Sequence, residues 1–114
     1  MKYVTAVFKP SRLDAVLDAV TAAGASGITV TEVRGYGRQQ GKTEVYRGAE
    51  YEVRLLPKVR VEIAITDVLV EKVVEAITQA ANTSKIGDGK IFVMDLDSVL
   101  RIRTGEKNEA ALSS

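Results

Sequence analysis

The chain has 114 residues, which suits one domain and leaves little room for a second. Its apolar fraction of 46% and charged fraction of 27% are ordinary for a soluble globular protein. Because the net charge is only +1, bulk charge does not favour a polyanion binder, and any anion site has to come from local clustering of cations.

Two absent residue types narrow the chemistry. The chain has no cysteine, which excludes disulfides and thiolate metal sites and favours a cytoplasmic protein. It also has no histidine, so no imidazole base is available and an enzyme is disfavoured. No apolar run approaches the roughly 20 residues of a membrane span, and residues 1–10 read as a strand rather than a signal peptide.

The first third of the chain predicts a strand, a helix and a second strand. Residues 2–8 alternate as a strand does, and Ser11 with Asp14 forms a capping pair for a helix that ends near Gly24. Residues 27–33 are β-branched and alternating, which predicts the second strand. The helix has one apolar stripe, made of Leu13, Val16, Leu17 and Val20.

The polar segment from about 37 to 55 has no apolar face of its own. A compact domain rarely keeps a loop of this length without a use for it. Ordering it would cost about 1 kcal/mol or more per residue, with no local core to offset that cost. We therefore predict a mobile arm whose shape depends on what binds at its base or tip.

The second half repeats the order of the first. Residues 59–65 alternate strictly as a third strand, and Asp67 is a predicted cap for a helix with an apolar stripe from Val70 to Ala81. The remaining predicted segments are a fourth strand at 90–94, a short final strand at 99–103 and a loose polar tail at 104–114.

This order predicts an α+β, ferredoxin-like βαββαβ sandwich over residues 1–112, with both helices on one face of an antiparallel sheet. The open face is too apolar to be ideal in water, which favours self-association through it. By strand parity that face carries Tyr3, Thr5, Val7, Thr29, Thr31, Glu62 and Ala64.

Two glycine segments follow predicted elements. Gly35 and Gly37 do not form a dinucleotide fingerprint, because Gln40 takes the third glycine position and no helix follows. They leave open a simple turn or a close backbone approach to a phosphate. Gly87 and Gly89 allow an anion-binding nest, and an ordinary turn fits equally well.

Cations accompany these glycines. Lys90 follows the second glycine segment, and Arg101 and Arg103 would lie on one side of the predicted final strand. Paired guanidiniums suit a phosphate, although a solvated edge strand is the alternative. Together these features indicate a phosphate-rich ligand, most economically a nucleotide whose ribose and base use strand-end residues such as Thr29 and Glu62.

Five blocks then occur in a characteristic order: TEVRGYGRQ, TEVYRGAEY, LPKVRVE, KIGDGKIFV and RIRTGE. They resemble the PII nitrogen-regulatory signal-transduction family, and the similarity runs from Met1 to about Leu112. The resemblance implies a homotrimer with a nucleotide site in each cleft between subunits, where ATP and ADP compete.

The resemblance also implies residue roles. The phosphates would lie against Gly37, Arg38, Gly87, Gly89 and Lys90, with Arg101 and Arg103 reaching across from the adjacent chain. The base would lie near Thr29, Gly35, Glu62 and Ala64, and the ribose near Asp88. 2-Oxoglutarate would bind beside ATP through Mg²⁺, with Gln39 helping to hold the metal and Lys58 contacting the acid.

The resemblance also implies that the arm is the part of the chain that is modified and that contacts partner proteins. Tyr51 matches a loop tyrosine that is uridylylated or adenylylated, and Arg47 matches the arginine that plugs ammonium transporters. Gln39 sits at the base of the arm, so a ligand there would redirect the arm. The implied partners are an ammonium transporter, a nucleotidylyltransferase and regulators of glutamine synthetase, and the implied role is regulation rather than catalysis.

The sequence departs from the family at several positions. Asn82 and Ser84 stand where the family often has Arg and Gly, which predicts a modest loss of nucleotide affinity. Gln40 and Lys42 replace a common Lys and His. Ala49 stands where some cyanobacterial members have a phosphorylatable serine.

Two other classes compete with this interpretation. An RNA-recognition domain shares the βαββαβ order, but it needs stacking aromatics that the third strand does not offer. A small nucleotide hydrolase would have to use Asp88 or Glu62 as its general base, which predicts slow and incidental turnover.

Overall fold

A computed structural model describes residues 1–37 and 55–113 in full, and the backbone of 43–46 and 49–52. Arg38, Gln39 and Arg47 lie outside the residues described in full, and Tyr51 is described through its backbone only. The elements are β1 (Lys2–Phe8), α1 (Leu13–Ala22), β2 (Ile28–Gly35), β3 (Thr43–Tyr46), β4 (Ala49–Glu52), β5 (Leu56–Ile65), α2 (Val70–Ala81), β6 (Gly89–Asp95) and α3 (Glu109–Leu112).

Four of the strands form an antiparallel sheet in the order β2-β5-β1-β6. The central strand β1 pairs Val4 with Ile63 of β5 on one side and with Val93 of β6 on the other. This α+β arrangement is compatible with the predicted ferredoxin-like fold. The predicted strand at 2–8 and the strands near 27–33, 59–65 and 90–94 are confirmed. The second begins one residue later and ends two residues later than predicted, the third begins three residues earlier, and the fourth is longer by one residue at each end.

The core lies between the sheet and α1 with α2. Strict alternation in β1 and β5 sends every second side chain to this side, including Val4, Phe8 and Ile63, each at most 1% exposed. The helices contribute Val16, Val20, Val73 and Ile77 to the same cluster. No polar or charged residue is buried in the part of the chain that the structure describes.

Neither long helix begins as predicted. Short 3₁₀ turns, Pro10–Arg12 and Asp67–Leu69, precede α1 and α2, and their capping residues make no side-chain cap hydrogen bond. The predicted caps are therefore wrong, because the tighter turns satisfy backbone donors internally, as in the 3.1 Å bond from the Leu69 amide to the Thr66 carbonyl. The Asp67 carboxylate instead lies 2.8 Å from the Met1 ammonium, which lowers the pKa of Asp67.

The arm contains regular structure that the sequence did not predict. β3 and β4 pair antiparallel as a separate two-stranded sheet, from Thr43 opposite Glu52 to Tyr46 opposite Ala49. Pairing between main-chain groups defines this ladder, and each strand has only four residues, too few for a clear period-2 signal in the sequence. The predicted mobility of the arm remains a prediction.

The predicted final strand at 99–103 is wrong. The chain reverses after Arg101, where the Gly105 amide donates to the Arg101 carbonyl at 2.8 Å and Leu100 bridges Lys107. Gly105 has a φ of 74°, a left-handed conformation that suits this reversal. The residues predicted as a loose tail include α3. Among the described residues no helix has the length and apolarity that a membrane crossing requires.

Candidate functional site

A cavity of about 560 Å³ opens where the end of β2, the start of β5 and the start of β6 meet. The β2–β5 register places Gly35 opposite Leu56, and the β1–β6 register places Gly89 opposite Phe8. These pairings bring both predicted glycine segments to one place. The lining consists of Val7, Gly35, Tyr36, Gly37, Leu56, Lys58, Ile86, Gly87, Gly89, Lys90 and Phe92.

The second glycine segment requires glycine for steric reasons. Gly87 and Gly89 have φ values of 93° and 109°, which L-residues with a Cβ rarely adopt. A Cβ at Gly89 would lie 1.8 Å from the Val7 carbonyl oxygen, an impossible distance. The loop backbone therefore approaches β1 this closely only because Gly89 has no side chain. Both glycines line the cavity, where they present backbone groups.

The Asp88 carboxylate stabilises its own loop through hydrogen bonds and an ion pair. Its Oδ2 accepts a 2.7 Å hydrogen bond from the Thr83 amide, and its Oδ1 accepts from the Thr83 hydroxyl. Lys9 Nζ lies 3.2 Å from the same Oδ1. The Thr83 hydroxyl, with the nearby amide and Lys9, holds the pKa of Asp88 well below its ordinary value. The structure thus engages the Asp88 carboxylate inside its own loop, while the predicted ribose contact stays a prediction.

Lys58 links β5 to the loop between α2 and β6, which contains Gly87 and is here called the glycine loop, across the cavity. Its ammonium donates to the Gly87 carbonyl at 2.7 Å. Burial lowers the pKa of Lys58, the nearby charge of Lys9 lowers it further, and Asp88 opposes both effects. A partly desolvated cation of this kind gains from a carboxylate or phosphate partner, because an opposite charge offsets the cost of its burial.

Lys9 is a site residue that sequence reasoning missed. Besides its contact with Asp88, its ammonium donates to the Thr83 hydroxyl at 3.3 Å. Lys9 directly follows β1, and the pairing of Phe8 with Gly89 places it beside residue 88. Only the strand register carries that information, since Lys9 and Asp88 are far apart in the chain.

The two family departures in this loop contact each other. Ser84 has a φ of 61°, a left-handed conformation in which glycine is ordinarily favoured. The Asn82 Oδ1 accepts a 2.7 Å hydrogen bond from the Ser84 amide and forms a local turn. Asn82 therefore stabilises the backbone at position 84, where serine stands in place of the glycine that the family often has.

Three predicted base-contacting residues lie on the open face of the sheet, away from the cavity lining. Thr29 and Glu62 are direct cross-strand partners, and Ala64 is opposite Tyr3. The Tyr3 hydroxyl donates to Glu62 Oε2 at 2.7 Å, which raises the pKa of Tyr3. Arg60 Nε lies 3.3 Å from Glu62 Oε1, but its N–H is buried and not aligned for a hydrogen bond.

Arg101 and Arg103 do not line the cavity within one chain, and they are not paired on a strand. Arg101 Nη1 donates to Glu106 Oε1 at 3.1 Å, and Nη2 donates to the Ala111 carbonyl at 3.0 Å. Arg103 is exposed in the turn that reverses the chain. The predicted arrangement of the two guanidiniums fails because the chain turns at residues 102–104, so Arg101 and Arg103 do not share a strand.

The described residues contain no group of three His, Cys, Asp or Glu side chains that could hold a metal ion. The predicted Mg²⁺ contact falls on Gln39, which is outside them.

Comparison with known proteins identifies the family. Residues 1–106 match the model of the family described as nitrogen regulatory protein P-II. The chain belongs to the P-II family. It is 57% identical over 112 residues to the nitrogen regulatory protein P-II of Pasteurella multocida (strain Pm70), covering 98% of this chain and 100% of that protein.

Two further relatives cover the same shares. The chain is 54% identical to the nitrogen regulatory protein GlnK of Escherichia coli (strain K12) and 56% identical to the nitrogen regulatory protein P-II of Azospirillum brasilense. These P-II names describe regulators rather than enzymes. Family membership therefore supports a role in nitrogen-regulatory signalling.

We expect Gly89→Ala to destabilise the fold, because its Cβ would overlap the Val7 carbonyl oxygen and because its φ is unfavourable for alanine. The free energy of unfolding in urea should fall by at least about 2 kcal/mol. The matched control is Gly27→Ala, which meets no atom within 4 Å and should stay within about 1 kcal/mol of the wild type. Equal stability of the two variants would contradict the steric argument.

The depressed pKa of Asp88 predicts a pH dependence. The ionised carboxylate stabilises the fold above the ordinary value of 3.8, and this contribution is lost as the pH falls toward the lower folded-state pKa. Asp88→Asn should therefore be less stable than the wild type near neutral pH, and the difference should shrink in acid. Urea unfolding between about pH 7 and pH 3 measures this.

The control is Asp97→Asn, which changes an exposed aspartate at a bend. Its difference from the wild type should change little over the same range. A wild-type advantage over Asp88→Asn that persists undiminished to the acid end would argue against the role given to Asp88.

Proposed function

We propose that this P-II family chain is a cytoplasmic sensor that binds ATP or ADP, together with Mg²⁺ and 2-oxoglutarate, and signals through its arm. The observation that carries the proposal is the convergence of Gly35, Gly37, Gly87 and Gly89 with two lysines on one cavity. Glycines let backbone amides approach phosphate oxygens, and lysines supply the opposing charge.

The phosphates would lie between Lys90, the glycine loop and the base of the arm. Lys90 is exposed at the start of β6, and Gly87 and Gly89 keep the loop backbone free of side chains at this point. Arg38 directly follows Gly37 and would add a guanidinium, which suits a phosphate by charge and shape. ATP and ADP would share this site and differ in whether the γ-phosphate is present.

A homotrimer would complete the site. Strand β6 is an edge of the sheet, and Phe92 and Met94 expose 48% and 51% of their surface on its open face. A neighbouring subunit would cover these side chains and bring its Arg101 and Arg103 toward the phosphates. The base would then contact Thr29, Gly35, Glu62 and Ala64, and the ribose would lie near Asp88. A monomer in sedimentation equilibrium at micromolar concentration would argue against this assembly.

2-Oxoglutarate would bind beside ATP, with Lys58 contacting a carboxylate and Gln39 helping to hold Mg²⁺. The Lys58 ammonium now donates to the Gly87 carbonyl, a neutral acceptor. A carboxylate would make a stronger, charge-assisted bond with it and compete for this contact. Mg²⁺ prefers oxygen ligands, which the phosphates, the 2-oxo acid and the Gln39 amide oxygen would provide.

The arm would convert this binding into an output. It leaves the cavity at Gly37 and returns at Leu56, so both of its ends are attached to cavity-lining residues. A ligand at its base would bias its path by differential binding to two conformations. We propose partners of nitrogen assimilation: an ammonium transporter contacted through Arg47, a nucleotidylyltransferase and regulators of glutamine synthetase. The chain would act without catalysing a reaction itself.

Tyr51 is the proposed modification site. A nucleotidyl group on its hydroxyl would add bulk and negative charge to β4, which would disrupt a close contact with a partner. Mass spectrometry of the protein from nitrogen-starved cells should find a uridylyl or adenylyl group at Tyr51. A peptide that is always unmodified would exclude this role.

Calorimetry tests the sensor directly. 2-Oxoglutarate should bind only when Mg²⁺ and ATP are present, and 2-oxoglutarate should in turn tighten ATP binding, since coupling between two sites is reciprocal. Lys58→Gln should weaken 2-oxoglutarate binding at least about tenfold, because it removes the cation that pairs with the acid. ATP binding should change much less.

The matched control is Lys72→Gln, which removes an exposed lysine from α2. It should bind all ligands as the wild type does. Binding of 2-oxoglutarate without nucleotide, or no binding of ATP or ADP at all, would contradict the proposed function.

A further inference from the structure

The C-terminal segment contacts Arg101 in a way that the proposed function leaves unexplained. We propose that residues 109–113, here called the strap, are an autoinhibitory element that occupies the Arg101 guanidinium and competes with a phosphate ligand for it. This inference rests on the proposed function, because it assumes that Arg101 contributes to an anion site.

The strap occupies both N–H groups of one guanidinium nitrogen of Arg101. Arg101 Nη2 donates to the Ala111 carbonyl at 3.0 Å and also to the Ser113 carbonyl. A guanidinium Nη carries two N–H groups, so Nη2 has none left for a ligand. Nη1 donates to Glu106 Oε1 at 3.1 Å. A phosphate that needs both Nη atoms therefore has to displace the strap.

The chain reversal before the strap holds it in this position. The Asn108 amide donates to the Val99 carbonyl at 2.8 Å, and Asn108 Oδ1 accepts from the Val99 amide at 3.2 Å. Asn108 has a φ of 56°, which turns the chain back toward Arg101. The Ser26 hydroxyl donates to the Leu112 carbonyl at 3.3 Å and gives the strap a second attachment.

The strap also has little buried surface to hold it in place. Its helix α3 spans only Glu109–Leu112 and has no buried residue. Segments with few buried contacts open at low free-energy cost. Its acceptors for Arg101 are neutral carbonyls, whereas a phosphate offers charged oxygens in a bidentate geometry that forms stronger bonds. Ligand and strap therefore exchange at Arg101, and the apparent affinity equals the intrinsic affinity multiplied by the fraction of molecules in which the strap is released.

Three proteins test the proposal by calorimetry with ADP. The first is the full chain, and the second ends at Asn108 and lacks the strap. The third is Ala111→Pro, which keeps length and charge but removes the 2.8 Å bond from the Ala111 amide to the Asn108 carbonyl and disrupts α3. Both altered proteins should bind ADP about threefold to tenfold more tightly than the full chain.

A charge control and a digestion assay separate the strap from simpler effects. Truncation also removes the Glu109 carboxylate, so Glu109→Gln in the full chain should show the ADP affinity of the wild type. Carboxypeptidase digestion of the full chain should release the C-terminal residues faster when ADP is present. Ser26→Ala should accelerate this release without ADP, because it removes the second attachment.

The outcomes are distinct. If the full chain binds ADP and both strap variants bind it with the same dissociation constant, the strap proposal is overturned and the proposed function stands. An affinity gain in Glu109→Gln equal to that of the truncation would also overturn it, since charge alone would then explain the result. If none of the proteins binds ADP, the proposed function itself fails. Should the truncated chain fold poorly, Ala111→Pro decides the question.

Discussion

Strand β1 determines how the two glycine segments and Lys58 lie relative to one another. It is hydrogen-bonded to β5 on one side and to β6 on the other, in a register that runs from Lys2 to Phe8. The end of this strand brings the glycine loop before β6 close to Lys58 of β5, and β5 in turn aligns Gly35 at the end of β2. A shift of one residue would turn the buried side chains outward and separate the two glycine segments.

The close approach of Gly89 to Val7 follows from this register. The loop can reach β1 only without a side chain at that position, so Gly89 presents only its backbone to the cavity that it lines. The same contact explains why Lys9, at the end of β1, reaches Asp88. The requirement for glycine at position 89 and the ion pair between Lys9 and Asp88 therefore both follow from the pairing of β1 with β6.

Several charged groups of the proposed site already have partners in their own chain. Lys58 donates to the Gly87 carbonyl, Asp88 accepts from Thr83, and Arg101 donates to the strap. A ligand that binds these groups has to exchange one set of hydrogen bonds for another, which links binding to a change of backbone position. Such exchange gives a small ligand a physical means of altering a loop or a tail.

Periodicity and composition determined most of the fold. Apolar alternation predicted the strands of the main sheet, and helical apolar spacing predicted α1 and α2. The glycines at positions 87 and 89 indicated that unusual backbone angles are possible there. These features are local, so nearby residues specify them. The lack of histidine and cysteine, together with a net charge of +1, also limits the chemistry that the side chains can perform.

Only the tertiary structure determined which residues that are distant in the chain come into contact. The contact of Lys9 with Asp88 depends on strand register, and the engagement of Arg101 by the strap depends on a chain reversal at Gly105 that a strand-like pattern concealed. The 3₁₀ turns replaced the capping that Ser11 and Asp67 predicted, because tighter backbone bonds satisfied the same donors. Residue types and their spacing set which elements form; the pairing between elements sets which charges meet, because those contacts join residues distant in the chain.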